Sequence, residues 1–363
     1  MNFLRTLLFP FSILYGIIIA IRNFLFDQKW LKSKGFAIPI ISIGNISVGG
    51  SGKTPMADYL IRLLKTTNQV ALLSRGYGRK KSGFFIANQL STADDIGDEP
   101  LQYMLNHPDI LVAVSEKRVA GVEGIQNQVD VIILDDAYQH RSIKPGFSIL
   151  LFDYHKIFKS DFLLPSGNLR EPINNLNRAD IIVITKTNRI FSPLERRRVE
   201  AKMPILDHQK VFYSFIQYGD LKSLGQKASE NFKSLNNLDK KTRIILFTGI
   251  AYPKTLLDYL EQKTKLITHF AFKDHHRYSL KDIKKITLGF DQESETKKII
   301  ITTEKDAMRL LNSKFKNFTD EFPVYFLPIQ AEMNEHDKIE FDTLLTNYVA
   351  TNTANNRIHK TKN

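Results

Sequence analysis

Short apolar runs alternate with stretches of helical character along most of the chain. In its first part the runs lie at 38–43, 70–73, 110–114, 131–134, 147–152 and 181–184. Because these runs are nearly continuous rather than alternating, they are typical of parallel strands buried on both faces. The order of strands and helices predicts a doubly wound, mostly parallel α/β sheet, whose ligands bind at the carboxyl ends of the strands.

A polar stretch at 217–241 interrupts this pattern before it resumes. The later apolar runs lie at 243–249, 266–272, 298–303 and 324–327. We therefore expect a core domain over 37–235 and a second, smaller α/β lobe over 236–348, with a functional cleft between them. The polar residues 349–363 are predicted to form a disordered tail.

The N-terminus carries an uncharged segment over residues 6–21, bounded by Arg5 and Arg22. As a helix it would extend roughly 24 Å against about 30 Å for the hydrocarbon core of a bilayer, which favours a tilted or interfacial anchor. No small-residue cleavage site follows, so a signal peptide is not indicated. Basic flanking residues suit the anionic cytoplasmic leaflet. We predict a membrane-associated helix and basic linker over 1–36, with a buried core helix as the alternative.

Composition narrows the classes of partner. The chain has 363 residues, 43% hydrophobic and 25% charged, as expected of a globular protein with two domains. It has no cysteine, which excludes disulfides, thiolate zinc sites and cysteine nucleophiles. The formal net charge of +13 favours an anionic partner, such as a phosphorylated substrate or an anionic membrane. No nucleic-acid-binding motif is present, so we expect no nucleic acid, and nothing indicates a protein partner.

A glycine-rich loop follows the first apolar run and precedes a helical stretch. Its residues are Ser47, Val48, Gly49, Gly50, Ser51, Gly52, Lys53 and Thr54. The N–H groups of such a loop can wrap a polyphosphate, Lys53 can reach the β- and γ-phosphates, and the Thr54 hydroxyl can hold Mg²⁺. Ser47 departs from the general pattern, which has glycine there, but the strand–loop–helix context makes a ligand-free turn the weaker alternative. We therefore predict a P-loop NTPase-like fold that binds a nucleotide with Mg²⁺.

Two adjacent carboxylates are candidate metal ligands. Asp135 and Asp136 end the apolar run at 131–134, as in a Walker B strand, so either could bind Mg²⁺ directly or through water. Gln139 and His140 follow at once and are expected at the same rim.

An acidic turn at 97–100 supplies a candidate base. Phosphorylation of a hydroxyl needs a group that accepts its proton, and Asp98 or Glu99 could do so. The alternative for this turn is an ordinary helix N-terminus, where acidic residues are common.

Basic residues beside the predicted strand ends are candidate phosphate ligands. Arg75 follows the second run and Arg118 follows the third, while Arg170 and Glu171 lie in a loop at 164–172 with the glycine and proline content of a binding loop. Arginine is a permanently charged, forked donor for phosphate oxygens. For each of these residues taken singly, a surface position is the more common outcome.

In the second lobe, two strand ends are predicted to face the cleft. His275 lies in the segment 272–278, where its imidazole could orient a carboxylate on the opposite side of the cleft. Residues 302–306 end another strand. His275 and His276 form a pair, but no third ligand stands at a useful spacing, so a histidine metal site is not expected.

A set of short motifs in a fixed order carries a family resemblance. They lie at 44–55, 74–79, 97–100, 134–140, 169–172, 274–276 and 303–306. Together they resemble the tetraacyldisaccharide 4′-kinase family, the lipid A kinases of Gram-negative bacteria, in which serine at the position of Ser47 is normal. The resemblance implies transfer of the ATP γ-phosphate, with Mg²⁺, to the 4′-hydroxyl of a tetraacylated glucosamine disaccharide 1-phosphate. It also implies a location at the cytoplasmic face of the inner membrane.

The resemblance further implies roles for individual residues. Asp98 would act as the base together with His275, although the doubled histidine leaves His276 open. Lys53 and Thr54 would carry the P-loop roles. The remaining assignments are Asp135, Asp136 and Glu171 around Mg²⁺, and Asn45, Arg75, Arg118, Gln139, His140 and Arg170 as substrate or phosphate contacts.

Two other functions are compatible with the residues alone. A membrane-associated nucleotide switch would need Asn-Lys-x-Asp after a late strand, which 185–188 matches only loosely. A P-loop kinase or ligase with a soluble substrate would use the N-terminal helix merely as core, and its activity would not depend on lipid or detergent.

Overall fold

Two mostly parallel sheets organise the chain. The computed structural model describes residues 5, 7–158, 161–228, 234–295 and 297–360. In chain order the strands are β1 (Ile40–Gly44), β2 (Val70–Ser74), β3 (Phe85–Ile86), β4 (Leu111–Val114), β5 (Val131–Leu134), β6 (Phe147–Asp153), β7 (Ile181–Thr185), β8 (Lys210–Tyr218), β9 (Lys222–Ser223), β10 (Arg243–Thr248), β11 (Ile267–Ala271), β12 (Lys298–Thr303), β13 (Val324–Leu327) and β14 (Ile329–Met333). The predicted α/β class is confirmed.

Helices connect the strands and cover both sheets. They are α1 (Phe9–Asp27), α2 (Lys53–Leu64), α3 (Ala93–Ile96), α4 (Asp98–Asn106), α5 (Arg118–Ile125), α6 (Tyr154–Ile157), α7 (Pro193–Glu200), α8 (Lys254–Glu261), α9 (Leu280–Gln292), α10 (Glu304–Leu310), α11 (Lys316–Glu321) and α12 (Glu335–Lys360). Short 3₁₀ turns lie at Ile173–Arg178, Leu235–Asn237 and Ser313–Phe315.

The first lobe is built on a nine-stranded sheet with the order β14-β8-β7-β6-β1-β5-β2-β4-β3. Its neighbours are parallel except for β14 against β8 and β3 against β4. Every residue of β1, β5 and β7 is buried, because apolar clusters cover both faces of the sheet. β1 lies between β5 and β6, so the glycine-rich loop emerges beside the carboxyl ends of both neighbours.

The second lobe is a five-stranded sheet with the order β11-β10-β12-β13-β9. Its neighbours are parallel except for the short strand β9 against β13. This strand lies inside the stretch predicted as a polar connection, so the second lobe begins before the predicted residue 236.

The predicted end of the second lobe at residue 348 is corrected by the structure. β14 pairs antiparallel with β8, which returns the chain to the first sheet directly after β13. Helix α12 then packs Phe341, Leu345 and Val349 into the core of the first lobe. The predicted disordered tail from 349 is also corrected, since α12 continues to Lys360; residues 361–363 lie outside the described part of the chain.

A shared apolar cluster joins the two lobes. Ile96 and Leu101 of the first lobe pack with Ala307, Met308 and Phe326 of the second. Burial of these side chains holds helix α4 against helix α10. The two helices carry the acidic turn and the motif at 303–306, so their packing brings these segments together.

Helix α1 turns its apolar side outward and its polar side toward the first lobe. The apolar side chains Phe11, Leu14, Ile17, Ile18, Ile21 and Phe24 are each more than half exposed. On the opposite side, Ser12 Oγ accepts from the Ser166 N–H and Tyr15 donates to the Arg170 carbonyl, both at 2.9 Å. This exposure excludes the alternative of a buried core helix.

Candidate active site

The glycine-rich loop has the backbone of a phosphate-binding loop. Gly49 and Gly52 have φ of 90° and 83°, a left-handed conformation that residues with a Cβ rarely adopt. Helix α2 begins at Lys53, directly after this turn, so the positive end of the helix dipole lies at the loop. The loop can therefore receive an anion such as a polyphosphate.

Donors from two neighbouring strand ends hold the carbonyls of the loop. Thr185 Oγ1 donates to the Ser51 carbonyl at 2.8 Å, and Lys156 Nζ donates to the Val48 carbonyl at 3.0 Å. Lys186 Nζ engages a carbonyl between them. Because the C=O and N–H of a peptide unit point in opposite directions, holding the carbonyls favours N–H groups that face a bound phosphate.

Lys53 lies in a chain of polar contacts at the ends of β1 and β5. Its Nζ is 3.3 Å from Asn45 Oδ1 and 3.4 Å from Asp136 Oδ1. Arg170 Nη1 contacts both carboxylate oxygens of Asp136, at 3.0 and 3.1 Å. Burial raises the pKa of Asp136, but Lys53 and Arg170 lower it by more, so this carboxyl group is ionised.

Asp135 has the opposite character. It is buried, and burial together with the charges of Glu99 and Asp136 raises its pKa to about 7. Ser74 Oγ donates to Asp135 Oδ2 at 3.4 Å, whereas Oδ1 is buried and has no hydrogen-bond partner within the described ranges. An unpaired buried carboxylate oxygen is costly, so this atom is free to serve a ligand.

Asp98 faces the second lobe across the cleft. It is the first residue of α4, and Arg309 on α10 donates from Nε to Asp98 Oδ2 at 2.7 Å. The Nη2 of Arg309 lies 3.4 Å from His275 Nδ1. One guanidinium group therefore contacts both residues that were predicted to act together as the base.

A second cation of α10 makes a parallel set of contacts. Lys305 Nζ lies 3.0 Å from Glu99 Oε1 and 3.2 Å from His275 Nε2. The His275 ring also packs edge-on against Tyr77, with ring centroids 5.5 Å apart. Burial and the charge of Lys305 lower the pKa of His275, so its imidazole is neutral at neutral pH.

His276 points into the second lobe. Its ring stacks on Phe272 with centroids 4.7 Å apart, and its Nε2 lies 3.1 Å from Asp282 Oδ2. His275 is the histidine of this pair that contacts α10 and lies against Tyr77 of the first lobe. The geometry therefore favours His275 over His276 as the partner of Asp98.

Comparison with known proteins decides the family. The family model described as Tetraacyldisaccharide-1-P 4'-kinase matches residues 4–350. The chain belongs to the tetraacyldisaccharide 4′-kinase family. A Tetraacyldisaccharide 4'-kinase of Bacteroides thetaiotaomicron is 40% identical, covering 98% of this chain and 96% of its own length. One of Flavobacterium psychrophilum is 43% identical over 98% of this chain and 100% of its own length. The crystal structure of LpxK from Aquifex aeolicus in complex with ATP has a TM-score of 0.70 and 30% identity, covering 95% of this chain and 99% of that one.

The metal role that the family resemblance implied for Glu171 stays a prediction. Its carboxylate is fully buried, and Oε2 accepts hydrogen bonds from Arg178 Nη2 (2.5 Å), Asn175 Nδ2 (2.7 Å) and Asn23 Nδ2 (3.3 Å), whereas Oε1 has no hydrogen-bond partner within the described residues. Asn23 belongs to α1, so Glu171 connects this helix to the first lobe. Within the described residues, Glu171 forms no hydrogen bond or ion pair with Lys53 or Asp136.

Arg118 and Asn45 are both buried, and their substrate roles stay predictions. Arg118 is 1% exposed and donates from Nη2 to the Asp135 carbonyl at 3.2 Å. Asn45 is fully buried, donates to the Ser47 carbonyl at 2.5 Å and accepts from Lys53. Asn45 thus holds the glycine-rich loop, and Arg118 holds the chain just after β5.

Arg75, Gln139 and His140 lie at the rim, and their substrate roles stay predictions. Arg75 is exposed. Gln139 Nε2 donates to the Asn45 carbonyl at 2.8 Å. Burial lowers the pKa of His140 to about 4, with further contributions from Arg118 and Arg75.

Four cationic residues of the site were not predicted from the sequence, and they differ in how far the sequence pattern indicated them. Lys305 lies in the motif at 303–306, and Arg309 follows one helical turn later on the same face, so the spacing contained a signal. Lys186 lies in the segment at 185–188, which loosely matches a nucleotide-switch motif. Nothing in the linear sequence connects Lys156 to the loop.

Proposed function

We propose that this chain transfers the γ-phosphate of ATP to the 4′-hydroxyl of a tetraacylated glucosamine disaccharide 1-phosphate. Family membership supports both the reaction and the class of lipid acceptor. One observation carries the proposal: two sets of side chains face each other in one cleft. Lys53 and the glycine-rich loop form the nucleotide side, and Asp98 with His275 forms the acceptor side.

These residues support a balanced transfer step. The 4′-hydroxyl oxygen attacks the γ-phosphorus, the bond from that phosphorus to the β–γ bridging oxygen breaks, and ADP leaves. The hydroxyl proton passes to a carboxylate oxygen of Asp98. The Lys53 ammonium stabilises the negative charge that develops on the transferred group. Neutral His275 lies beside the same guanidinium group as Asp98 and orients the acceptor side.

The residues present fit Mg²⁺. Asp135 offers a buried oxygen without a partner in the described ranges, Asp136 is ionised, and the Thr54 hydroxyl lies in the first turn of α2. Mg²⁺ prefers oxygen ligands and takes one or two protein carboxylates when it binds with a polyphosphate. We propose that Asp135, Asp136 and Thr54 hold this ion, which would neutralise phosphate charge when bound.

We propose further that α1 lies in the membrane interface at the cytoplasmic face. Its 19 residues extend roughly 29 Å, long enough to span, but its polar side is bonded to the first lobe and cannot face lipid. Its outward side is apolar, Trp30 beyond its end is 74% exposed, and Lys29, Lys32 and Lys34 suit anionic headgroups. ATP and the lipid acceptor would then meet at one surface.

The direct test is a transfer assay with purified protein, γ-labelled ATP, Mg²⁺ and the tetraacyl disaccharide 1-phosphate in detergent micelles. We expect labelled lipid, and a Lys53→Ala variant with kcat reduced by at least ~10², since the charge beside the transferred group is lost. Lys297, which pairs with Asp239 on the surface, provides the matched control; Lys297→Ala should keep wild-type activity. Folded wild-type protein that labels no lipid would refute the proposal.

The same assay separates the alternatives. A nucleotide switch would release inorganic phosphate without labelling lipid. Lys186, which that alternative requires for base recognition, instead contacts the loop and pairs with Asp153 at 2.8 Å. A kinase for a soluble acceptor would phosphorylate the deacylated disaccharide as fast as the acylated one.

A further inference from the structure

We infer that Lys305 and Arg309 are positioning residues that assemble Asp98 and His275 into one site when the two lobes meet. The inference rests on the proposed function, because it assigns a role within the same phosphoryl-transfer site. Lys305 and Arg309 are called the cationic pair below.

The Arg309 guanidinium is mounted rigidly in the second lobe. Its side chain is 7% exposed, and its Nη1 donates to Asp306 Oδ1 at 2.8 Å and to the Gly249 carbonyl at 3.4 Å. Asp306 is fully buried and its other oxygen accepts from the Gly249 N–H at 2.9 Å. With Nη1 fixed in this way, Nε is left to receive Asp98 from the other lobe.

Helix α10 combines lobe packing with charge. Its residues Ala307 and Met308 lie in the apolar cluster shared with the first lobe, and Lys305 and Arg309 project toward the start of α4. The cluster fixes the distance between α10 and α4, so the charged contacts are made only when the lobes are packed. The cationic pair therefore couples lobe packing to the placement of the base.

Electrostatics gives the cationic pair a second task. Asp98 and Glu99 bring two carboxylates to a cleft that must also admit the polyphosphate of ATP, and these like charges repel. Two cations opposite the carboxylates offset that repulsion. The groups that face His275 are Lys305, Arg309, Glu99, Asp274 and the Tyr77 ring. Burial and the two cations lower the pKa of His275, which leaves its ring neutral and able to share a proton with the acceptor side.

Kinetics of three variants and one matched control test the inference. We expect Arg309→Met to lower kcat by ~10- to 100-fold while KM for ATP changes less than about threefold, because the base is misplaced and the loop is intact. Arg309→Lys should recover part of kcat, since it keeps the charge but loses the fork. Lys305→Met should also lower kcat, since it removes the contact with His275. Arg277 also crosses between the lobes, donating to the Gly78 carbonyl at 3.0 Å without touching Asp98 or His275, and Arg277→Met should match the wild type.

The titration of His275, followed by NMR on the protein without lipid, provides a readout that a purely structural role would not change. Removing a cation favours the protonated imidazole, so Lys305→Met and Arg309→Met should raise the pKa of His275, and Arg277→Met should not. Wild-type kcat in Arg309→Met, or an unchanged His275 titration in Lys305→Met, would overturn the inference. If Arg309→Met does not fold, Arg309→Lys and Lys305→Met carry the test. Failure of wild-type protein to phosphorylate lipid would refute the proposed function instead, and it leaves the titration unaffected.

Discussion

At the scale of single residues, burial and paired cations set the ionisation of the site. Asp135 and Asp136 are adjacent in sequence, yet the pKa of Asp135 is raised to about 7 and that of Asp136 lies below its usual value. The difference arises because Lys53 and Arg170 bond Asp136 and not Asp135. A cation that binds Asp135 would therefore replace a proton.

His140 predicts a pH dependence of stability. Burial, with Arg118 and Arg75, lowers its pKa from 6.5 to about 4. As pH falls through this window, the unfolded chain binds a proton that the folded chain does not, so stability is lost. We expect His140→Gln to remove about 2 kcal/mol of the decline in unfolding free energy between pH 7 and pH 5. Urea unfolding of both proteins at the two pH values measures it, and equal declines would contradict the burial of a neutral imidazole.

Glu171 predicts a structural phenotype rather than a metal phenotype. Glu171→Ala leaves Arg178 without its buried partner, so we expect a loss of about 3–5 kcal/mol in unfolding free energy. The Mg²⁺ concentration for half-maximal activity should stay unchanged in the folded protein. Glu123→Ala, which removes an exposed pair with Lys34, is the control and should cost less than about 1 kcal/mol. An increased Mg²⁺ requirement in Glu171→Ala would support the metal role instead.

At the scale of elements, strands that form continuous apolar runs could be predicted from the sequence. Strands that depend on pairing with a neighbouring strand could not. The central strands were located because burial on both faces requires such runs. β8 and β14 were missed because they are only partly buried, and β14 owes its register to antiparallel pairing with β8. The loop at 47–54 and the carboxylates at 135 and 136 follow strands and were predictable. The contacts of Lys305 and Arg309 depend on lobe packing, which no local pattern contains.

Helix α1 is predicted to bind membranes through its exposed apolar side. Ile17 and Ile21 are 51% and 55% exposed on its outward side. We expect the double change Ile17→Glu and Ile21→Glu to weaken binding to anionic phospholipid vesicles by at least ~10-fold, because two apolar contacts with lipid are lost. The unfolding free energy should be unchanged, since neither side chain packs in the core. Ile190→Glu, at a residue 88% exposed elsewhere, is the matched control in the same co-sedimentation assay. Equal vesicle binding by all three proteins would refute the interfacial placement.

At the scale of the whole molecule, each lobe supplies half of the site. The first lobe carries the loop, Lys53 and Asp98, and the second carries His275 and the cationic pair. The chain passes from the first lobe to the second after β8 and returns before β14, so both crossings lie beside the same sheet edge. Lobe packing through α4 and α10 brings the two proposed sides of the site together, and in the proposed arrangement α1 holds the first lobe at the membrane surface.

The position of the new phosphate on the lipid product distinguishes a 4′-kinase from the other candidate activities. Phosphorus–proton correlation NMR of the product from tetraacyl disaccharide 1-phosphate, ATP and Mg²⁺ identifies that position. We expect one new phosphomonoester coupled to the proton at carbon 4′, formed in equal amount to the ADP released. ADP release with inorganic phosphate and no new ester, or an ester at another carbon, would contradict this expectation.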